Sequence, residues 1–473
     1  MMNHRGLMEI ILLTIFFLAC FQAEAGSFSP VSTPEGSLAP AAGQTEGAEG
    51  LTLPKAEELA LRHNPLVRAT LSGRHLADAQ LSEAQAGRWP LLQFNETFTH
   101  GNNPVFVFGS LLEQGRFGPQ NFDINSLNNP ESLSNFRTSM TFKVPLFDQL
   151  ESGTRIAQAR IGLEQAEMQK ELVKQQVRLE VICAYYGVLV AQARKEVAEG
   201  GVRLAEADVG RIRDLFETGL VVRSDLLAAE VQLAEFRQQE IQTAGDLVTA
   251  HAFLNTALGL PVHTPQKVTG QLMEKTFALP DPEELIRLSL LHRPDYARAS
   301  FTVRSTEKKI RGAWGQYLPR VDLYSTYGIS NRDLASGTPD YAVGAGLTYN
   351  LFDLGRRARL DQARAAHSQA TTEQEHLANQ IRLEVIRTYQ QFVSARERLV
   401  FAAGAVVQAG EALRIVRDRY QEGLTTITEV LRAQTTYVRT GMNLLAARYD
   451  YYVGYGQVLL ASGRLTDVLP FAS

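Results

Sequence analysis

Phe216-Glu217-Thr218-Gly219-Leu220-Val221-Val222-Arg223-Ser224-Asp225-Leu226-Leu227-Ala228-Ala229 separates two stretches of helical periodicity. The same design returns at Tyr420-Gln421-Glu422-Gly423-Leu424-Thr425-Thr426-Ile427-Thr428-Glu429-Val430-Leu431-Arg432-Ala433. In both copies a glycine follows an aromatic residue by three positions, and an acid follows the glycine by six. Glycine just past a helix end accepts the left-handed backbone that other residues resist. Each stretch therefore reads as helix, turn, helix. Ser224 and Thr428, beside the acids, are the expected caps of the second helices. The chain makes two long helical hairpins, at about 148–260 and 353–463.

The first arm of each hairpin is helical for about 65 residues, starting from Asp148 and from Asp353. Alanine is abundant there, with Glu, Gln, Arg and Leu filling most other positions. All are good helix formers. At 1.5 Å per residue such an arm is on the order of 100 Å long. A rod of paired helices needs that length, and a globular domain does not. Alanines at the contacts let neighbouring helices approach closely.

The segments before the hairpins are duplicated too. His63-Asn64-Pro65 is answered by His292-Arg293-Pro294, and Gly87-Arg88-Trp89-Pro90 by Gly315-Gln316-Tyr317-Leu318-Pro319. Val144-Pro145-Leu146-Phe147-Asp148 is answered by Tyr349-Asn350-Leu351-Phe352-Asp353. The repeat units are about 51–270 and 278–473, joined at the proline-rich Leu279-Pro280-Asp281-Pro282. Each unit opens with a short helix, about 53–63 or 282–292, and a longer one, about 66–87 or 294–314. His63 and His292 lack clustered partners and read as helix C-terminal contacts rather than metal ligands.

The period then changes to two, giving β-hairpins at about 91–147 and 320–351. Val321, Leu323, Tyr327 and Ile329 share one face, against Asp322, Thr326 and Ser330. Tyr341, Val343, Ala345 and Leu347 alternate with Gly344, Gly346 and Thr348. Met140, Phe142, Val144 and Leu146 alternate with Ser139, Thr141 and Lys143. The strand near 91–100 is less regular, because Glu96 falls on the face of Phe94 and Phe98. Such strands suit a membrane barrel or any half-buried sheet. A long loop, about 101–135, joins the first pair; its Phe106-Val107-Phe108 either extends the strand or packs as a plug.

At the N-terminus His4 and Arg5 precede an apolar run, 10–19, and an Ala23-Glu24-Ala25 site. This is a secretory signal over 1–25, with cleavage expected after Ala25. The competing reading is a lipoprotein site at Leu18-Ala19-Cys20, acylated on Cys20. Residues 26–50 are a Gly/Ser/Pro/Ala-rich leader. The only other cysteine is Cys183, read as a small buried hydrophobe. A formal charge of −4 over 473 residues carries no basic bias toward nucleic acid. No nucleophile–base motif, H-E-x-x-H, phosphate loop or metal cluster occurs, so neither an enzyme nor a cofactor or metal protein is expected.

Two strands per unit make four per chain. Four strands cannot close a barrel, and an open sheet in lipid leaves backbone groups unpaired at several kcal/mol each. In a membrane, several chains must share one barrel. Eight strands make a barrel filled by its own side chains, and twelve leave a lumen.

The duplicated unit, the two turns and the paired strands resemble the TolC-like outer membrane efflux proteins. The resemblance is carried by Phe216 through Ala229, by Tyr420-Gln421-Glu422-Gly423-Leu424 through Ala433-Gln434, by Leu351-Phe352-Asp353 and by Ala447-Arg448-Tyr449-Asp450-Tyr451. It implies a mainly α protein with membrane β. Three chains would form a twelve-stranded barrel in outer membrane lipid, continued by a periplasmic α-helical barrel. It implies a passive exit duct for efflux or type I secretion, driven by an inner membrane transporter through a periplasmic adaptor. The competing function is a non-conducting trimeric coiled-coil stalk or adhesin.

The resemblance also assigns the tips. Gly219-Leu220 and Gly423-Leu424 would meet the adaptor. Asp225, Tyr420, Glu429 and Arg432 would form the periplasmic gate. Glu429 matches the first of two acidic rings in the family pattern, but Arg432 stands at the second and can pair with Glu429. Tyr420 and Asp225 match a tyrosine–aspartate lock, but Thr425 replaces its arginine.

Overall fold

The computed structural model describes residues 50–473 apart from 271, 273–274, 334–336, 467–470 and 472–473. The expectations for the signal segment, for Cys20 and for residues 26–49 lie outside the described residues.

The first repeat runs α1 (Leu53–His63), α2 (Pro65–Ala86), β1 (Leu91–Gly101), α3 (Pro104–Glu113), α4 (Ile124–Asn128), β2 (Leu133–Asp148), α5 (Glu151–Glu217) and α6 (Arg223–Leu258). The second runs α7 (Pro282–His292), α8 (Pro294–Gly315), β3 (Arg320–Asn331), β4 (Thr338–Thr348), α9 (Gly355–Gln421) and α10 (Ile427–Ala461).

Proline sets the helix starts: Pro65 and Pro294 open α2 and α8 with the backbone already in helical geometry. Asn64 caps α2, its Oδ1 accepting from Leu66 N–H at 2.8 Å. His63 and His292 are the last residues of α1 and α7, and His292 Nδ1 lies 3.0 Å from Leu288 O, as expected for helix C-terminal contacts.

α5 and α9 have 67 residues each, about 100 Å of helix. Their return arms, α6 and α10, have 36 and 35 and come back only about half way. α2 and α8 take over from there. The C-cap Gly259 of α6 abuts the start of α2 so closely that a Cβ would lie 2.5 Å from His63 O. Gly463, after α10, meets Arg293 N in the same way at 2.9 Å. Both glycines also have positive φ, +74° and +69°. Glycine is therefore required twice over at each junction. Along α9, Ala363, Ala370 and Ala378 are buried at spacings near seven, as close helix packing demands.

The main core sits where these junctions meet. Tyr186, Phe277, Phe392, Tyr451, Tyr452, Tyr455 and Phe471 form one aromatic cluster, with Phe277 stacked on Tyr455 at 4.1 Å. Several phenol oxygens here are bonded to the backbone, Tyr186 Oη donating to Phe471 O at 3.2 Å. Tyr185 Oη donates to Thr269 O at 2.5 Å, and Tyr451 Oη accepts from Phe277 N–H at 3.0 Å. Arg293 grips Asp295 (2.7 Å) and Glu384 (2.6 Å), fastening the start of α8 to α9. Cys183 is partly buried, and burial pushes its thiol up to about 11, so it is not a reactive thiolate.

The four strands form one antiparallel sheet in the order β1-β2-β3-β4, with β1 and β4 as unpaired edges. The register puts Leu92, Phe94, Phe98, Met140, Phe142, Tyr327, Ile329, Tyr341, Val343 and Leu347 on one face. Gln93, Asn95, Thr97, Arg137, Thr141, Thr326, Ser330 and Asp340 lie on the other. Glu96, the misfit on the apolar face, is paired with Thr138, whose Oγ1 donates to it at 2.6 Å. Within the 101–135 loop, Phe106-Val107-Phe108 does not extend β1. It lies inside α3, which Asn103 caps by accepting from Val105 and Phe106 N–H.

Candidate functional site

Both hairpin turns close in the same way. Thr218 and Glu422 are the C-caps, and Gly219 and Gly423 follow at φ +75° and +73°. Gly219 N–H donates to Phe216 O (3.0 Å) and Leu220 N–H to Leu215 O (2.9 Å). Gly423 N–H to Tyr420 O (3.0 Å) and Leu424 N–H to Arg419 O (2.9 Å) repeat the pattern. This pair of bonds satisfies carbonyls that the helix end leaves open, and it requires the left-handed residue. Leu220 and Leu424 project from the tips, 73% and 64% exposed.

The expected caps are corrected here. α6 and α10 begin at Arg223 and Ile427, with Val222 and Thr426 as N-caps and no side-chain cap bond. Ser224 and Thr428 sit one residue inside the helices. Asp225 and Glu429 each fall in a first turn, where a negative charge complements the helix N-terminus. Glu429 is open to solvent, and Arg432 approaches it at 3.8 Å, a long and exposed pair.

The two tips are packed together. Ile427, Val430 and Leu431 of α10 bury against Val209, Ile212 and Ala229 of the first hairpin. Above this patch lies a polar tie that the sequence reading missed. Arg417 Nη2 of α9 donates to Asp208 Oδ2 of α5 at 3.1 Å. Asp208 is buried, and so is Gln434 of α10 beside it. With its amide turned to satisfy both neighbours, Gln434 Nε2 donates to Asp208 Oδ2 at 3.1 Å. Three of the four helices thus converge on one carboxylate. Tyr420 lies next to this group, but its buried Oη has no hydrogen-bond partner. Burial, and then the charge of Asp225, hold the phenol above its ordinary value, so it stays neutral. Tyr420 Oη makes no bond to Asp225 within the chain, and the polar contact that joins the two hairpins here is the Arg417–Asp208 pair. In the sequence the two are ordinary charges of opposite sign, eleven residues before Gly219 and six before Gly423.

With a fold of two such hairpins and a two-faced sheet, the chain is an outer membrane channel of the efflux and secretion type. It belongs to the outer membrane efflux protein family, whose model matches residues 57–260 and 285–464. Outer membrane protein TolC of Vibrio cholerae is 27% identical over 325 residues, 64% of this chain and 71% of that one. Alkaline protease secretion protein AprF of Pseudomonas aeruginosa is 22% identical over 437 residues, 86% and 87% of the two chains. Among solved structures, the Campylobacter jejuni CmeC outer membrane channel aligns with a TM-score of 0.75 at 15% identity. That alignment covers 87% of this chain and 85% of CmeC.

Proposed function

We propose that three copies of the chain form one duct. Three four-stranded sheets would close a twelve-stranded barrel in the outer membrane, and the hairpins would continue it as a periplasmic helical barrel. The observation that carries this is the sheet with two bare edges, β1 and β4, and two faces of opposite character. An open edge in lipid costs several kcal/mol for each unpaired group, and pairing β4 with β1 of the next chain removes every edge. The helices leave matching surfaces. Val231, Ile241 and Val248 of α6 and Val400, Phe401 and Val407 of α9 are all at least 60% exposed in the single chain. Part of α9 is apolar enough over 18 residues to suit a membrane, yet only 11% of that stretch is buried. Packing of α9 on a neighbour's α6 would cover both.

The duct is passive. An inner membrane transporter supplies the energy, through a periplasmic adaptor that docks on the exposed Gly219-Leu220 and Gly423-Leu424 tips. The Arg417–Asp208–Gln434 tie keeps the two hairpins of a chain together and the entrance narrow. Glu429 contributes a ring of three negative charges at the mouth, partly offset by Arg432. The test is the mass of the detergent-purified protein together with its conductance in planar bilayers. A trimer with small channels is expected. A stable monomer overturns the shared barrel, and a trimer that stays silent even with the Arg417 tie removed favours the stalk.

A further inference from the structure

The loop between β1 and β2 turns back over the sheet, and the face it chooses can be read from its contacts. Glu113, at the end of α3, accepts from Ser330 Oγ (3.2 Å) and lies 3.3 Å from Arg137 Nη1. Arg137 in turn holds Asp340 through two bonds, at 3.0 and 3.1 Å, and Ser330 Oγ at 3.0 Å. Gln114 Nε2, next along, donates to Asn135 Oδ1 and to Ser134 O, both at 2.9 Å. Arg137, Ser330, Asp340 and Asn135 all belong to the polar face of the sheet. In a barrel with lipid outside, that is the face turned to the lumen. Ser330 is wholly covered.

α3 itself has two stripes. Val107, Ser110 and the C-cap Gln114 are buried at helical spacing, and Gln114 bonds the sheet. Val105, Phe108 and Leu112 lie on another side at the same spacing, 82%, 38% and 50% exposed. Phe108 meets Phe117 edge-on at 4.8 Å within the chain, while Val105 and Leu112 beside it stay largely uncovered, an apolar edge that a water-filled lumen disfavours.

We propose that this stripe packs on its own copies in the other two chains, so that three α3 helices form an apolar constriction at the outer mouth. The inference rests on the trimeric barrel proposed above. The dimensions support it. Twelve strands about 4.8 Å apart and tilted about 40° wrap a circle about 24 Å across between backbones. A helix with its side chains is about 10 Å wide. Three helices tied to the wall leave little open space at the axis, and what faces that space is Val105, Phe108 and Leu112. Apolar constrictions of this kind close a pore by excluding water. The Arg137 network fixes the helices to the wall, so opening requires α3 to leave the sheet or an exported chain to push between the stripes.

The test uses single cysteines in full-length protein carrying Cys183→Ser, with that parent as control. A short bismaleimide should join Phe108→Cys chains to one another in the trimer and leave Val107→Cys chains unjoined. Val105→Ser, Phe108→Ser and Leu112→Ser together, in an Arg417→Ala background that frees the inner entrance, should raise single-channel conductance at least twofold. Equal cross-linking at 107 and 108, or an unchanged conductance, overturns the proposal. A monomer by mass before any cross-linker is added overturns the barrel reading, and this proposal falls with it.

Discussion

Arg417 and Asp208, 209 residues apart in sequence, meet at 3.1 Å across the two hairpins, with Asp208 almost withdrawn from solvent. The pair lies between helices that no loop connects at that level, so nothing covalent duplicates it. Breaking one partner of a half-buried ion pair leaves the other charge poorly solvated, at about 1–3 kcal/mol. Arg417→Ala and Asp208→Asn should each loosen the tip and raise single-channel conductance severalfold. The double variant should add little to either single one, because both remove the same contact. Additive effects would assign the two residues to separate functions.

Tyr420→Phe should leave conductance unchanged and stability equal or slightly higher. Its hydroxyl is buried without a partner, and removing an unsatisfied polar group loses no bond. A clear opening of the channel by this variant would show that the hydroxyl is engaged in the assembled duct.

Ion preference should respond to Glu429 and Arg432 in opposite directions. Their 3.8 Å pair is exposed and weak, so each charge acts largely on its own at the mouth. Glu429→Ala should shift the reversal potential in a salt gradient toward anions, and Arg432→Ala toward cations. The shifts should shrink as ionic strength rises.

Asp295 supplies a pH test. Burial alone would raise its carboxyl, but the bonds and charge of Arg293 outweigh this and hold it below the ordinary value. A lowered folded pKa stabilises the fold fully above the unfolded value of about 3.9, and that stability is lost as pH falls through the folded value. Asp295→Asn should therefore lower the melting temperature at neutral pH and flatten the acid limb below about pH 4. An acid limb identical to the parent's would exclude Asp295 as its source.

The hairpins, the duplication and the strands were legible because each rests on local rules. Gly219 and Gly423 need left-handed backbone, Pro65 and Pro294 start helices, and alternation at Tyr341, Val343 and Leu347 specifies a strand. The caps were misplaced by two residues, since Ser224 and Thr428 look like caps in sequence but the chain has already entered the helix at Arg223 and Ile427. α3 is hidden in the sequence because Phe106-Val107-Phe108 favours strand by composition. Asn103-Pro104 was the available signal, a cap followed by a proline at the first turn. Asp208 and Arg417 were missed for a different reason. Each looks like an ordinary charge on a solvated helix, and only tertiary packing brings them to one point.

The aromatic cluster at Tyr186, Phe392 and Tyr451 holds each hairpin at one height, and the arms beyond it meet through smaller contacts: Val202, Ala205 and Phe236 against Val438, the apolar patch at the tips and the polar tie. From Tyr186 to Phe216 the helix runs about 45 Å. Each hairpin is thus a lever with its fulcrum in the aromatic cluster, and a swing of about 5° there carries the tip about 4 Å. The mechanical gain is set by helix length alone, so an opening on the scale of a small solute needs almost no repacking at the fulcrum.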